Sequence, residues 1–293
     1  MCYSIRLPLS ETAVILSVFE KIKFNSENIP PIFKSFDTGQ ADALSRKYFI
    51  ILTIADNHLS NEGSLIYNFR DLLFIYEKDM QISVEIAETS IDDPQNLANM
   101  GISIALCQIL SREGFFMLHA ASVVRNDQGF VFPGFSGSGK TTISRLSAVE
   151  NHVLCDELTA VTARLSNPDG IPGNTYRIFS GPRWADFTFK PEYYCDATWR
   201  EKSHSAYPLR AVIFPSKSEL RDETWLEKVK SIDAAVSLMA RFFETAFVKA
   251  LPAETLTRTF HFFSRLARRV PCYTIHANIK TDIWKAIDET IGK

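Results

Sequence analysis

Short apolar runs broken by turn-forming residues dominate the first third of the chain. Segments 47–55, 64–69, 72–76 and 81–86 are rich in Ile, Leu, Phe and Tyr, and Asn61-Glu62-Gly63 and Glu77-Lys78-Asp79 separate them. Runs of this length between turn residues predict strands. At Asp92-Asp93-Pro94 the pattern changes. Residues 96–112 place Ala98, Ile102, Ala105, Leu106 and Ile109 at helical spacing, and Gly114 closes the segment, which predicts a helix with a glycine stop. The expected organisation is a β-rich N-terminal region, 1–93, followed by a second domain, 94–293.

That second domain reads as α/β. The pattern predicts strands at 115–124 and 130–133 around an Asn126-Asp127-Gln128-Gly129 turn, a helix from Lys140 to about Val149, and strands at 152–155 and 158–165. Further on it predicts a strand at 211–214, helices at 231–247 and 256–268, a late strand at 272–277 and a terminal helix at 282–291. If Asn126 and Gly129 flank the turn, Val124 lies opposite Val131 and His119 opposite Ser136.

The chemistry sits inside that pattern. Glycine is scarce, 12 in 293 residues, yet three fall close together in Gly134-Phe135-Ser136-Gly137-Ser138-Gly139-Lys140-Thr141. The run fits Gly-x4-Gly-Lys-[Ser/Thr] without a mismatch, between an expected strand and an expected helix. Glycines admit positive φ and let backbone N–H groups approach phosphate oxygens at a helix N-terminus. Gly134, Ser136, Gly137, Ser138, Gly139, Lys140, Thr141 and Thr142 are therefore the candidate nucleotide-binding residues. Lys140 would neutralise the β- and γ-phosphates, and the Thr141 hydroxyl would stand on Mg²⁺. ATP and Mg²⁺ are the expected ligands.

Two flanking features complete the candidate site. His119 lies in an apolar strand and reads equally as a core histidine or as a neighbour of the loop. The segment His152-Val153-Leu154-Cys155 ends in Asp156-Glu157. A carboxylate at a strand end that opens beside the phosphates can bind Mg²⁺ or accept a proton from an attacking hydroxyl. Adjacent residues alternate in direction along a strand, so the two acids would divide these roles. Arg145, Arg177, Arg183, Arg200 and Arg210 are candidate transition-state cations, and Arg258, Arg265, Arg268 and Arg269 read as the decorated end of an amphipathic helix.

Composition narrows the partners. With 32 Lys plus Arg against 34 Asp plus Glu, the net charge of -2 gives no basic field for nucleic acid. The apolar runs are too short to span a bilayer, and no signal-peptide pattern opens the chain, so no membrane partner and a cytoplasmic location are expected. Five scattered cysteines (Cys2, Cys107, Cys155, Cys195, Cys272) form no Cys-x-x-Cys pair, so neither zinc nor a disulfide framework is expected. Self-association is left open.

The run Leu118-His119-Ala120-Ala121-Ser122-Val123-Val124, the loop 134–141 and Leu154-Cys155-Asp156-Glu157 together resemble the HPr kinase/phosphorylase family. Its relatives include the HPr-kinase-like proteins of peptide-modification clusters, among them lasso-peptide precursor kinases. The resemblance implies a mixed-sheet P-loop kinase core like that of phosphoenolpyruvate carboxykinase, and ATP-dependent transfer to a serine hydroxyl. It implies Asp156 as the base with His119 assisting, which leaves Glu157 to the metal with Thr141. Two departures stand out: Glu157 replaces a second Asp, and the segment Arg177-Ile178-Phe179-Ser180-Gly181-Pro182-Arg183-Trp184 does not match the family's second glycine-rich signature. The expected acceptor is therefore a Ser or Thr of a peptide or protein other than HPr, with transfer in the forward direction only. A small hydroxylated metabolite as acceptor, and a non-catalytic nucleotide-binding sensor or scaffold, are the alternatives.

Overall fold

A computed structural model describes residues 2–6, 12–18, 46–55, 63–69, 73–87, 94–156, 158–163, 176–180, 206–217, 223–244, 253–278 and 280–292. The fold mixes α and β with mixed sheets, and the N-terminal region is β-rich. The described residues form two compact units, the first holding those up to Glu113 together with 253–255, the second the rest.

The first unit is built on a six-stranded sheet in the order β1-β2-β3-β6-β5-β4. Its strands are β1 (Cys2–Arg6), β2 (Thr12–Val18), β3 (Arg46–Ala55), β4 (Ser64–Phe69), β5 (Leu73–Lys78) and β6 (Gln81–Ala87). The β2-β3-β6 pairings are parallel; β1 and the β5-β4 edge run antiparallel. Helix α1 (Pro94–Arg112) packs on β3, β5 and β6. Ile102, Ala105 and Ile109 are fully buried, as are Ile50, Leu52, Leu73, Ile75 and Val84 on those strands. A Cβ on Gly101 would stand 2.3 Å from Val84 Cγ1, so glycine sets how closely helix and sheet approach. The sequence pattern opens the second domain at 94, and the contacts of α1 with β3, β5 and β6 group it with the first unit.

The second unit holds the chemistry. Its eight-stranded sheet runs β11-β10-β7-β8-β12-β14-β13, with β9 also paired to β7. These are β7 (Phe115–Arg125), β8 (Gln128–Pro133), β9 (His152–Cys155), β10 (Leu158–Thr162), β11 (Arg177–Ser180), β12 (Tyr207–Lys217), β13 (Trp225–Lys228) and β14 (Cys272–Ala277). β12 lies parallel to both β8 and β14, and the other pairings are antiparallel. β11 bonds β10 on one edge and β12 on the other, so β10, β7, β8, β12 and β11 close into a ring.

Helices α2 (Lys140–Ser147) and α5 (Ile283–Ile291) bury Ile143, Trp284 and Ile287 against Ala121, Val123, Phe130, Phe132 and Ile213. The Trp284 ring meets Phe130 and Phe132 edge-on, and its Nε1 donates to Ser147 Oγ at 3.0 Å, tying α5 to α2. Asp282 caps α5 by accepting from Trp284 N and Lys285 N. Residues of opposite parity on β7 face α3 (Ser231–Glu244) and α4 (Ala253–Arg269): Phe116 stacks on Phe262 at 4.1 Å, and Phe242 meets Phe263 edge-on. Among the described residues, no helix is long and apolar enough to cross a membrane.

One register differs from expectation. The β7–β8 turn is the two residues Asn126 and Asp127, at φ 51 and 57, and Ala120 stands opposite Pro133. Two successive positive φ values define the hairpin turn whose twist matches its strands, and Asn and Asp tolerate them best after glycine. The ladder therefore shifts, and His119 comes level with Gly134 rather than Ser136, its carbonyl accepting from Gly134 N at 3.3 Å.

Candidate functional site

The loop 134–139 leaves β8 and turns directly into α2. Gly137 and Gly139 have φ of 75 and 103, conformations in which a side chain would be strained. Gly139 caps α2 without a side-chain hydrogen bond, so the amides that open the helix are left facing the loop. A Cβ at Gly134 would sit 2.1 Å from Ser138 Oγ, so the loop closes tightly on itself there. Ser138 Oγ is buried and makes no hydrogen bond. Lys140 is buried at 6% exposure, and its Nζ donates to the carbonyls of Gly134 at 2.7 Å and Phe135 at 2.9 Å. A buried ammonium, an unpartnered hydroxyl and a run of helix-opening amides form a cradle that suits a phosphate. Ser136, Thr141 and Thr142 are exposed at its rim, where Thr141 is accessible to an incoming metal.

The acidic strand end arrives from the far side of β7. β8 and β9 both run antiparallel to β7, so their carboxyl ends open at the same edge of the sheet. β9 and β10 are successive partners of β7, with Cys155 opposite Ser122 and Leu158 opposite His119. Asp156, half-buried, lies in the interruption between them. A thiol bridges that interruption: Leu158 N donates to Cys155 Sγ at 3.2 Å, and Sγ lies 3.1 Å from Leu158 O. Beneath it, Thr159 Oγ1 donates to the Ala120 carbonyl and lies 3.0 Å from Ser122 Oγ, satisfying a buried polar pair within the sheet.

His119 is thus the centre of the arrangement. Gly134 meets it on one edge of β7 and Leu158 on the other. Two strand spacings put the loop's first residue and the acidic turn about 10 Å apart across that strand. Alternation places the half-buried His119 on the same face as Ala121 and Val123, the face that α2 covers. His119, Lys140 and Asp156 therefore converge on one sheet edge. Glu157 lies outside the described residues, as do Arg183 and Arg200. Among the described residues, no three His, Cys, Asp or Glu side chains gather to hold a metal.

Of the remaining arginines, Arg210 sits at a bulge beside Gly129 and Phe130, the opposite end of β8 from the loop, and bonds the Ile291 carbonyl at 2.9 Å. Arg145 is exposed on the last turn of α2. Arg177, half-buried in β11, reaches toward the Ala206 carbonyl at 3.5 Å. Arg265, Arg268 and Arg269 lie exposed along α4, where their charge opposes what burial does to Tyr176: burial raises its pKa and the three arginines lower it. The sequence pattern does not single out Arg241, on the last turn of α3, yet its guanidinium carbon stands 4.0 Å from the centroid of the Phe135 ring in the loop. Only packing of α3 on β7 brings the two together.

The family model of the SynChlorMet cassette protein ScmC matches residues 83–292. The chain belongs to the ScmC family. The stretch shared with ScmC begins within β6, runs through α1 and takes in the whole of the sheet that carries the glycine loop. Every candidate residue of this ScmC chain, from His119 to Glu157, lies inside it. No curated protein matches the chain.

Proposed function

We propose that this ScmC-family protein is an ATP-dependent kinase that transfers the γ-phosphoryl group to a hydroxyl, a Ser or Thr of a peptide or protein, on a P-loop core of the HPr-kinase-like type. The observation that carries the reading is the convergence of His119, Lys140 and Asp156 at one sheet edge, around a loop whose glycines hold positive φ and whose lysine is buried. A protein that only binds nucleotide needs the loop and its lysine; it has no use for a general base at Asp156.

In this reading Lys140 exchanges its two carbonyl partners for β- and γ-phosphate oxygens, and the opening amides of α2 hold the rest of the triphosphate. Thr141 and Glu157 are the residues that would hold Mg²⁺, which neutralises the charge shared by the β- and γ-phosphates when bound. Asp156 accepts the proton as the acceptor's O–H bond breaks; the freed oxygen forms the new P–O bond while the bond to ADP opens. His119, level with both the loop and the acidic turn, orients that hydroxyl or the carboxylate. Cys155 keeps the turn in place from beneath.

The experiment combines calorimetry with transfer. Wild type should bind Mg·ATP, and Lys140→Ala should lose most of that affinity while still folding. With γ-labelled ATP, label should pass to a peptide encoded beside the gene and not to HPr. Undiminished affinity in folded Lys140→Ala would overturn the phosphate assignment. Tight ATP binding with no transfer to any peptide, protein or hydroxylated metabolite would leave a nucleotide sensor, and labelling of HPr would restore the parent family's acceptor.

A further inference from the structure

Phe135 is an unusual residue for its place. It is the second residue of the loop, and it is 46% exposed. The same residue holds two cations. Its carbonyl accepts from Lys140 Nζ at 2.9 Å, and its ring face carries the Arg241 guanidinium at 4.0 Å from the centroid. Arg241 comes from another element, the last turn of α3, where its Nη1 donates to the Ser237 carbonyl at 3.3 Å. The ring of Phe214 in β12 lies 5.7 Å from the guanidinium on the way down to the sheet.

These contacts fix where the guanidinium stands relative to a nucleotide. A P-loop lysine meets the β- and γ-phosphates, so the position of Lys140 Nζ marks the terminal end of a bound triphosphate. Phe135 O is bonded to that Nζ, and Arg241 rests on the ring of the same residue. The guanidinium therefore shares a loop residue with the lysine that marks the γ end of the cradle. The planar fork of Arg matches two phosphate oxygens at once, through charge-assisted bonds. A terminal phosphate on the loop would draw Arg241 off its ring.

We propose that Arg241 is a γ-phosphate-recognising cation supplied from outside the loop, with Phe135 as the platform that parks it when no triphosphate is bound. The proposal rests on the nucleotide-binding reading above and deepens it: the site would distinguish a nucleoside triphosphate from a diphosphate through α3. The alternative role is structural, a positive charge at a helix C-terminus that also packs on an aromatic ring.

Calorimetry with Mg·ATP and Mg·ADP separates the two. Wild type should prefer ATP, and Arg241→Ala should lower ATP affinity about ten-fold or more, as expected for one charge-assisted phosphate contact, while ADP affinity stays within about two-fold. Arg241→Lys should restore only part of the preference, because a point charge lacks the fork. Lys140→Ala should weaken both nucleotides. Arg241→Gln, which keeps the stem, serves if the alanine variant does not fold. Equal loss of ATP and ADP affinity, or none, in a folded Arg241 variant would overturn the proposal while leaving the nucleotide site intact. A wild type that binds neither nucleotide would overturn both.

Discussion

Gly134→Ala tests the loop geometry with a single methyl group. The added Cβ meets Ser138 Oγ at 2.1 Å, Ser138 Cβ at 3.0 Å and Lys140 Cγ at 3.4 Å. Rotation about χ1 can move the Ser138 hydroxyl away, but its Cβ is fixed to the loop backbone. Residues 134 and 138 must therefore separate by a few tenths of an ångström. That shift is resisted on one side by the Gly134 N–H bond to His119, and on the other it pulls the Gly134 carbonyl from Lys140 Nζ. Overpacking of this kind costs about 1–3 kcal/mol. For a body of this size, each kcal/mol lowers the melting temperature by about 2–4 °C, so a fall of about 2–12 °C is expected. ATP affinity should fall as well, since Lys140 and the loop amides move together. The assay is thermal melting by circular dichroism on wild type, Gly134→Ala, Ser138→Gly and the double variant. Ser138→Gly removes both offending atoms, so the double variant should recover most of the loss, a coupling of about 0.5–3 kcal/mol between touching sites. If Gly134→Ala melts with wild type, or if its loss persists in full in the double variant, the close approach of 134 and 138 does not shape the loop.

Asp156→Asn should leave ATP affinity near wild type and lower turnover by about 10²-fold or more, the size expected for loss of a general base; collapse of binding with normal turnover per bound site would make Asp156 a metal ligand. His119→Ala should slow turnover less, and an unchanged rate with a lowered melting temperature would make it a core residue. Trp284→Ala should cost about 3–5 kcal/mol, because it empties the contact with Phe130 and Phe132 and removes the bond to Ser147 that ties α5 to α2; a denaturant midpoint unchanged from wild type would refute that packing account. Burial pushes the Cys272 thiol from 9.0 up to about 12. The unfolded chain then releases a proton that the folded chain retains, so stability is complete below about pH 9 and declines as pH rises toward 12. Cys272→Ala should flatten that decline in denaturant midpoints measured between pH 8 and 10.5, and an identical slope would refute it.

Much of the candidate site was legible because its signal is local. Three glycines in a glycine-poor chain, a lysine and a threonine at fixed spacing, and flanking strand and helix patterns all lie within one short stretch. The short helix between β8 and β9 was also legible, while their common direction is set by the antiparallel pairing of each with β7. The hairpin register was not: choosing Asn126-Asp127 over Asp127-Gln128 as the turn moves every pairing, and only φ decides between them. β2 is a continuous apolar run between an antiparallel neighbour, β1, and a parallel one, β3, without the alternation that marks a half-buried strand. β13 pairs only as a short strand with β14, and β11 closes a ring, roles that four residues cannot announce.

By itself, then, the sequence determined the local chemistry: the glycine loop, its lysine, the acidic strand end and the helix that α2 becomes, each set by neighbours a few residues away. Tertiary structure decided which distant groups share that edge. It set His119 level with Gly134 and Leu158, placed α1 on the first unit's sheet, sent Arg210 to the end of β8 away from the glycine loop, and laid Arg241 on Phe135. Backbone spacing fixes what lies three or four residues apart along a chain. It carries no information about which helix face a sheet buries, and that burial is what brings residue 241 to residue 135.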